Sequence, residues 1–263
     1  MKQRIITGLI GGAGFLYLVW TGNLPYSLLI LTMALVGYYE FVKMNQTKLL
    51  SLEALIGFLF VFNLVYSANQ SLPYASQIEL SALLLIVVFL YLFVIVVKKN
   101  QVDFDQVASL FLGALYIGLG FSYMLETRFM EQGLELTLLV LFATWASDSG
   151  AYFTGRFFGK HKLWPEISPK KTIEGSIGGI TLAIIVSYIF NIYAEITEHG
   201  LLIIWAAIII AVVGQIGDLV ESALKRKKNV KDSGMIIPGH GGVLDRFDSL
   251  IYVFPILHLL QII

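Results

Sequence analysis

Long apolar segments recur along the chain and limit what it can fold into. They cover about residues 5–20, 26–42, 53–68, 80–97, 107–125, 134–154, 174–194, 201–221 and 247–263. A helix needs roughly 20 apolar residues to cross a bilayer. Hydrophobic residues make up 57% of the chain and charged residues 14%, whereas soluble domains contain roughly 45–50% and about 25%. The sequence therefore predicts an all-α integral membrane protein, a polytopic bundle of about nine transmembrane helices.

The positions of the basic residues predict the orientation of these helices. If the N-terminus lies inside, only Arg128 of the 18 Lys and Arg residues falls in an outside segment. Because cytoplasmic loops carry an excess of Lys and Arg, we predict an N-in, C-out topology. The first apolar segment follows Lys2 and Arg4, as in a signal peptide. No small-x-small cleavage site follows Trp20, so we expect this segment to be retained as a span.

Composition excludes several classes of function. The net charge is zero, which argues against nucleic acid as a partner. The chain has no cysteine, so disulfides, thiolate metal sites and cysteine nucleophiles are excluded.

The first half of the chain contains few residues that could take part in catalysis or binding. Glu40, near the inner end of the second span, is expected only to reach the membrane interface. We therefore predict one polytopic unit, with scaffold helices over 1–130 and a catalytic region with cytoplasmic loops over 131–263.

The sixth segment and the loop after it contain the first candidate site residues. Asp148 lies within an otherwise apolar helix, where an ionisable side chain is costly and indicates function. The alternative is a structural pair with a lysine from a neighbouring loop. Ser168, Lys170 and Lys171 supply a hydroxyl and two ammonium groups, which suit phosphate oxygens. Alternatively, these lysines only orient the protein and attract anionic lipid headgroups.

A second group of polar residues ends the eighth segment. Asp218, Glu221 and Ser222 are spaced i, i+3 and i+4, so they share one helix face. Two carboxylates and a hydroxyl at the membrane boundary favour a cation with a preference for oxygen ligands, such as Mg²⁺. The alternative is neutralisation of the carboxylates by Lys225, one turn further along the helix.

The polar loop that follows leads into the last apolar segment. Its cations Lys227 and Lys228 are expected to be solvated anchors. The glycines of 239–242 allow backbone N–H groups to approach a phosphate. Asp245 and Asp248, spaced i, i+3 at a helix N-terminus, can hold a metal ion.

The stretch from Ser222 to Asp248 resembles the signature of the phosphatidate cytidylyltransferases, also called CDP-diacylglycerol synthases. All defined positions are filled: Ser222-x-Leu224-Lys225-Arg226-x4-Lys231-Asp232-x-Gly234-x2-Ile237-Pro238-x-His240-Gly241-Gly242-Val243-x-Asp245-Arg246-Phe247-Asp248. Two upstream segments are similar to the family as well: Asp148-x-Gly150-Ala151-Tyr152-x2-Gly155-Arg156-x2-Gly159-Lys160 and Ile167-Ser168-Pro169-Lys170-Lys171-Thr172-x-Glu174-Gly175.

The resemblance implies a fold, a reaction and a set of partners. The fold is an all-helical, nine-span homodimer in the cell membrane, with its active site on the cytoplasmic side. The reaction is CTP + phosphatidate → CDP-diacylglycerol + pyrophosphate. The implied cofactor is Mg²⁺, with a second cation, for which K⁺ is a candidate, near Asp218 and Asp245.

This chemistry assigns expected roles to individual residues. Expected metal ligands are Asp218 and Asp245, supported by Glu221 or Asp248. Expected catalytic residues are Asp218, Asp245, Lys225, Arg226, Arg246 and His240. Expected substrate-binding residues are Asp148, Ser168, Lys170, Lys171, Ser222, Lys231, Gly239, Gly241 and Gly242. The two arginines can bind phosphate in a bidentate manner, and a structural role in the loop is the alternative for His240.

Other functions compete with this interpretation. A CTP-dependent polyprenol or dolichol kinase would use the same nucleotide and a lipid acceptor, but would release CDP. A secondary transporter of an anionic phosphorylated solute would also need cations and carboxylates. Transport sites lie near the bilayer midplane, however, whereas the polar residues here collect at the predicted cytoplasmic boundary.

Overall fold

The computed structural model describes residues 2–69, 78–236 and 241–263. In this part of the chain, the secondary structure consists of nine helices and one two-stranded hairpin. The helices are α1 (Lys2–Thr21), α2 (Asn23–Met44), α3 (Leu52–Ser67), α4 (Leu80–Val97), α5 (Phe104–Phe129), α6 (Gly133–Phe158), α7 (Ile173–Ala194), α8 (Gly200–Lys227) and α9 (Leu244–Leu259). Strands β1 (Lys162–Trp164) and β2 (Ser168–Thr172) pair antiparallel between α6 and α7.

The helices confirm the segments predicted from the sequence, since each predicted range overlaps one helix. Five of them, α2, α4, α5, α7 and α8, are long and apolar enough to cross a membrane. The all-helical prediction is also confirmed, except that it missed the β1–β2 hairpin. The second strand has only five residues, one of them proline, and shows no alternation of apolar and polar residues by which a strand is recognised.

The described residues pack into two compact units. The first comprises Met1–Glu126 and Val230–Arg246, and the second comprises Thr127–Asn229 and Phe247–Ile263. The polar loop after α8 therefore belongs to the first unit, although it lies late in the sequence. The roles predicted for residues 1–130 and 131–263 concern function rather than packing, and they stay predictions.

Aromatic side chains form the centre of the first unit. Tyr38 on α2 and Tyr91 on α4 are 0% and 2% exposed, and their hydroxyl groups lie 3.3 Å apart. Each hydroxyl thereby gains a hydrogen-bond partner inside the core, as buried tyrosines require. Gly57 on α3 lies directly against the Tyr38 ring and leaves no room for a Cβ.

Glycines bring α6 and α7 close together in the second unit. A Cβ at Gly150 would lie 2.6 Å from the carbonyl oxygen of Gly178, and a Cβ at Gly179 would lie 2.7 Å from that of Ser147. Small residues at such an interface allow two helix backbones to approach, as in membrane helix pairs. The approach places Asp148, next to Ser147, beside the first turns of α7.

The outer faces of several helices are apolar. Phe89 and Phe93 on α4 are 66% and 62% exposed, and Ile177 and Ile192 on α7 are each 60% exposed. Soluble monomers rarely expose contiguous apolar surface on this scale. These faces suit contact with lipid acyl chains.

Gly150→Ala is expected to lower the free energy of unfolding by about 1–3 kcal/mol, the usual cost of forcing extra atoms into a packed interface. The new methyl group would overlap backbone atoms of α7, which cannot move aside as a side chain could. Thermal unfolding in detergent measures the effect. Gly214→Ala is the matched control, because its Cβ would meet its nearest neighbour at an ordinary 3.5 Å; an equal loss in both variants would contradict the prediction.

Candidate functional site

A cavity of about 460 Å³ opens in the second unit. It is lined by α6, the hairpin, α7 and α8. Its polar and charged lining residues are Asp148, Tyr152, Arg156, Lys170, Lys171, Thr172, Ser176, Gln215 and Asp218. Its volume lies within the roughly 300–1,000 Å³ that is typical of small-molecule pockets. The predicted substrate-binding residues Asp148, Lys170 and Lys171 thus share one cavity with the predicted catalytic residue Asp218.

Lys171 and Asp218 form an ion pair at this cavity, with Nζ and Oδ2 2.6 Å apart. The same Nζ donates a hydrogen bond of 3.4 Å to the carbonyl oxygen of Gln215. The two charged side chains are 24% and 35% exposed, so a ligand in the cavity can reach them. The lysine can therefore exchange its carboxylate for another anion, such as a phosphate group.

The hairpin and the start of α7 hold Lys171 in position. The next residue, Thr172, is the N-cap of α7, and its Oγ1 accepts a 3.1 Å hydrogen bond from the backbone N–H of Gly175. In the first turn, Glu174 accepts a 3.2 Å hydrogen bond from the backbone N–H of His161, and its Oε1 lies 2.6 Å from the Nδ1 of that histidine. These contacts tie both His161, near the start of the segment between α6 and α7, and Thr172, at its end, to the first turn of α7.

Gln215 joins the three helices that line the cavity, a role that sequence reasoning missed. From α8, its Nε2 donates 3.3 Å hydrogen bonds to Ser147 Oγ on α6 and to the carbonyl oxygen of Ser176 on α7. Its Oε1 accepts a short hydrogen bond from the Ser176 hydroxyl. The signal in the sequence was a lone amide inside an apolar helix, next to the more conspicuous Asp218.

Three aspartates in this unit lie close enough to influence one another. Asp148 interacts electrostatically with Asp218 and with Lys171. Asp248, in the first turns of α9, interacts electrostatically with Asp148, Asp218 and Lys225. Since like charges at short range disfavour each other's ionisation, this arrangement attracts cations. A lysine from a neighbouring segment, the structural alternative for Asp148, is therefore nearby in Lys171, but this lysine pairs with Asp218.

Glu221 forms the ion pair that the sequence offered as the alternative to a metal. Its Oε2 lies 2.6 Å from Lys225 Nζ, one helical turn away, and the glutamate side chain is 4% exposed. Ser222 Oγ donates a 3.3 Å hydrogen bond to Asp218 Oδ1, so the predicted shared helix face is present. A metal role for Glu221 stays a prediction, and it would require Lys225 to give up this contact.

Lys170 of the cavity and the remaining predicted residues are exposed or half-buried. Lys170 and Lys231 are exposed, and Ser168 is half-buried at the start of β2. Arg226 is exposed on the last turn of α8, and its Nε donates a 3.4 Å hydrogen bond to the carbonyl oxygen of Ile167 in the hairpin. Arg246 is exposed near the start of α9.

A further polar cluster lies within the first unit and contains Asp245. Its Oδ2 accepts 2.8 Å hydrogen bonds from the backbone N–H groups of Ser233 and Gly242, and a 2.9 Å bond from the Ser233 hydroxyl. The same hydroxyl lies 3.1 Å from Glu40 Oε2. Glu40 is 1% exposed and holds contacts inside the protein that the sequence did not predict; its position relative to the membrane interface stays a prediction.

The glycines predicted to bind phosphate are described only in part. Gly239 and His240 lie outside the described residues, so the predictions for them remain open. Gly241 has a φ of 81°, in the left-handed region that favours glycine. The N–H of Gly242 donates to Asp245, so a ligand would have to compete with that contact.

The residues fit Mg²⁺ in their chemistry, although no ready-made cage is present. In the described part of the chain, no three His, Asp or Glu side chains are arranged to hold a metal ion. Mg²⁺ is usually bound by one or two carboxylates together with waters and substrate phosphates, and Asp218 and Asp248 supply such carboxylates. Asp218 belongs to the second unit and Asp245 to the first, so a metal shared by these two stays a prediction, as does K⁺.

These features define a class of protein: a helical chain with five helices long and apolar enough to cross a membrane and a charged, ligand-sized cavity lined by three helices and the hairpin. The sequence matches the Cytidylyltransferase family over residues 2–263. It is 44% identical over 261 residues to the phosphatidate cytidylyltransferase of Bacillus subtilis (strain 168), covering 99% of this chain and 97% of that one. It is 39% identical over 262 residues to that of Staphylococcus epidermidis, covering 100% and 99%.

The chain belongs to the Cytidylyltransferase family. The resemblance predicted from Ser222 to Asp248 and the two upstream segments is thereby confirmed. The match extends over the N-terminal helices as well, where the sequence had offered only a set of apolar segments.

Gln215→Leu is expected to reduce the free energy of unfolding by about 1–3 kcal/mol, because Ser147 and Ser176 would lose a hydrogen-bond partner between helices. Thermal unfolding of the purified protein measures this loss. Thr181→Val serves as the control, since that hydroxyl is exposed on α7 and donates only to the carbonyl oxygen of Ile177 within its own helix. A Gln215→Leu variant as stable as the wild type would show that the amide does not join the helices.

Proposed function

We propose that the chain is a phosphatidate cytidylyltransferase, which converts CTP and phosphatidate into CDP-diacylglycerol and pyrophosphate. The observation that carries the proposal is the Lys171–Asp218 ion pair in the cavity of the second unit. It places an exchangeable cation and an exchangeable carboxylate at one ligand-sized site. The relatives that bear this name align with nearly the whole chain, which supports the assignment.

The proposed reaction joins two anions. An oxygen of the lipid phosphate attacks the α-phosphorus of CTP, the bond from the α-phosphorus to the bridging oxygen breaks, and pyrophosphate leaves with that oxygen. A phosphomonoester has a second pKa near 6 and is mostly a dianion at neutral pH. The reaction therefore needs neither a general base to deprotonate the lipid phosphate nor a nucleophilic side chain of the protein. The main barrier is the electrostatic repulsion between the lipid phosphate and the triphosphate of CTP.

The residues of the cavity would reduce that repulsion. Lys171 would bind a phosphate oxygen in place of Asp218, and Lys170 and Arg156 bring further positive charge to the same cavity. Such preorganised charges stabilise the negative charge that develops during phosphoryl transfer. Arg226, next to the hairpin, would bind phosphate at the cavity's edge, as the arginine fork allows.

Mg²⁺ is the proposed cofactor. Asp218 and Asp248 would hold it, with Asp148 in electrostatic range. When bound with CTP, Mg²⁺ would supply charge neutralisation to the triphosphate. The participation of Asp245 and Glu221, and of a second cation such as K⁺, belongs to the same proposal.

The proposed setting is the cell membrane. The five helices that are long and apolar enough to cross a membrane support a membrane location. The distribution of basic residues along the nine apolar segments favours a nine-span, N-in and C-out topology, with the site on the cytoplasmic side. In this arrangement CTP arrives from the cytoplasm, while the acyl chains of phosphatidate stay in the bilayer. A homodimer is part of the proposal on family grounds.

Lys171→Met and Asp218→Asn are each expected to lower kcat/KM by at least about 10²-fold, the usual cost of removing one group that stabilises a developing charge. Turnover of labelled CTP with phosphatidate and Mg²⁺ measures the effect. Lys227→Met is the control and removes an exposed cation from α8, the helix that carries Asp218. Its kcat/KM should stay within about 2-fold of wild type, because screened surface charges contribute little. Near-normal activity of either cavity variant would refute its assigned role.

The products distinguish the proposed reaction from its rivals. Wild-type protein supplied with labelled CTP and phosphatidate should form pyrophosphate and a CDP-lipid in equal amounts. A lipid kinase would instead release CDP and phosphorylate a polyprenol or dolichol. A transporter would return its solute unchanged, so an absence of nucleotide-derived products would reject the enzymatic proposal.

A further inference from the structure

Glu40 is a buried carboxylate in an apolar helix. It lies on α2, which is long and apolar enough to cross a membrane, and it is 1% exposed. Burying a carboxylate is costly unless its oxygens gain hydrogen bonds or a cation. The contacts of Glu40 therefore show what the structure gains from keeping it there.

Three donors from the polar loop surround this carboxylate. The backbone N–H of Val243 donates to Oε1 at 3.0 Å, and that of Leu244 donates to Oε2 at 3.0 Å. The Ser233 hydroxyl lies 3.1 Å from Oε2. Both oxygens are thus engaged by a segment that lies 193 to 204 residues away in the sequence.

The two backbone donors lie at the start of α9. The helix begins at Leu244, and the first N–H groups of a helix have no acceptor within the helix itself. Glu40 supplies that acceptor from another helix, and its negative charge is favourable beside the positive end of the helix dipole. It therefore fixes where α9 begins.

Ser233 connects Glu40 to Asp245. Its hydroxyl lies 3.1 Å from Glu40 Oε2 and 2.9 Å from Asp245 Oδ2. A hydroxyl carries one proton, so it can donate to only one of the two carboxylates at a time. The position of the Asp245 side chain is therefore coupled to that of Glu40.

Two glycines of the loop are packed against Glu40. A Cβ at Gly234 would overlap its carboxylate, and a Cβ at Gly242 would overlap both the carboxylate and the Ser233 hydroxyl. Residues 233–234 and 242–244 can pack around Glu40 only because these two positions lack side chains. The contact is therefore a specific fit of the loop to this one side chain.

We propose that Glu40 is a positioning residue, which fixes the start of α9 and thereby the orientation of Asp245 for the reaction. The inference rests on the proposed function in so far as Asp245 acts in catalysis. It gives a positioning role to a residue of the N-terminal half, which the sequence had suggested was only scaffold.

Glu40→Gln tests the structural part of the inference. The variant keeps the size of the side chain, but its amide NH₂ would face at least one N–H or O–H donor. We expect the backbone amides of residues 241–246 to exchange with solvent at least ~10-fold faster, the usual worth of a hydrogen bond to a charged group. Hydrogen exchange of the purified full-length protein measures this without any turnover, so the test stands even if the proposed reaction is wrong.

Glu53→Gln is the matched control. Glu53 is also a buried carboxylate of the first unit, 3% exposed, but it pairs with Lys98 at 2.7 Å. We expect exchange over 241–246 to stay within ~2-fold of wild type in this variant, because no contact of the loop is removed. Equal acceleration in both variants, or none in Glu40→Gln, would overturn the inference.

Kinetics test the functional part. Glu40→Gln should lower kcat at least ~10-fold and raise the Mg²⁺ concentration for half-maximal turnover, because the carboxylate of Asp245, a proposed metal ligand, would no longer be held in its orientation. Glu53→Gln should change neither. A Glu40→Gln variant with faster exchange but wild-type kcat and Mg²⁺ dependence would overturn the positioning role.

Ser233→Ala provides a second variant in case Glu40→Gln does not fold. It removes the hydroxyl that connects the two carboxylates and leaves both in place. The expected result is a smaller increase in exchange over 241–246 and a smaller loss of kcat than in Glu40→Gln. Wild-type values for both quantities would overturn the coupling between Glu40 and Asp245.

Discussion

A carboxylate in an apolar helix must find a partner, and the polar architecture of this protein follows from that constraint. The cost of leaving such a group without hydrogen bonds or a counter-charge amounts to several kcal/mol. Glu40, Asp218 and Glu221 all lie on helices that are long and apolar enough to cross a membrane. Glu40 engages the residues at the start of α9, and Asp218 pairs with Lys171 of the hairpin, so these two acids position polar segments from outside their own helices. Glu221 pairs with Lys225 of its own helix.

These acids have two kinds of partner. Backbone N–H groups hold a carboxylate in a fixed position, whereas a lysine side chain can exchange it for another anion. Glu40 is engaged by backbone N–H groups at the start of α9, which cannot leave unless the helix end moves. Asp218 is paired with the flexible, partly exposed side chain of Lys171, which can turn to a phosphate at little cost. Rigid contacts such as those of Glu40 preserve local shape, whereas an exchangeable contact such as the Lys171–Asp218 pair can be replaced by an anionic ligand.

The sequence predicted what depends on local pattern. Apolar length located the helices, and helical spacing placed Asp218 and Ser222 on one face and offered the Glu221–Lys225 pair as an alternative. Contacts between distant segments carry no such pattern. The partners of Glu40 lie up to 204 residues away, and Gln215 joins three helices, so neither role could be derived from spacing.

The same limit explains why a glycine-rich motif is ambiguous. Glycines near lysines suggest a phosphate-binding loop, because backbone N–H groups can approach an anion there. In this protein the N–H of Gly242 does donate to an anionic group, but that group is the carboxylate of Asp245, and the missing Cβ makes room for Glu40. A carboxylate of the protein and a phosphate of a ligand attract the same donors. The sequence pattern thus identifies an anion-binding loop, and only the fold determines which anion the loop holds.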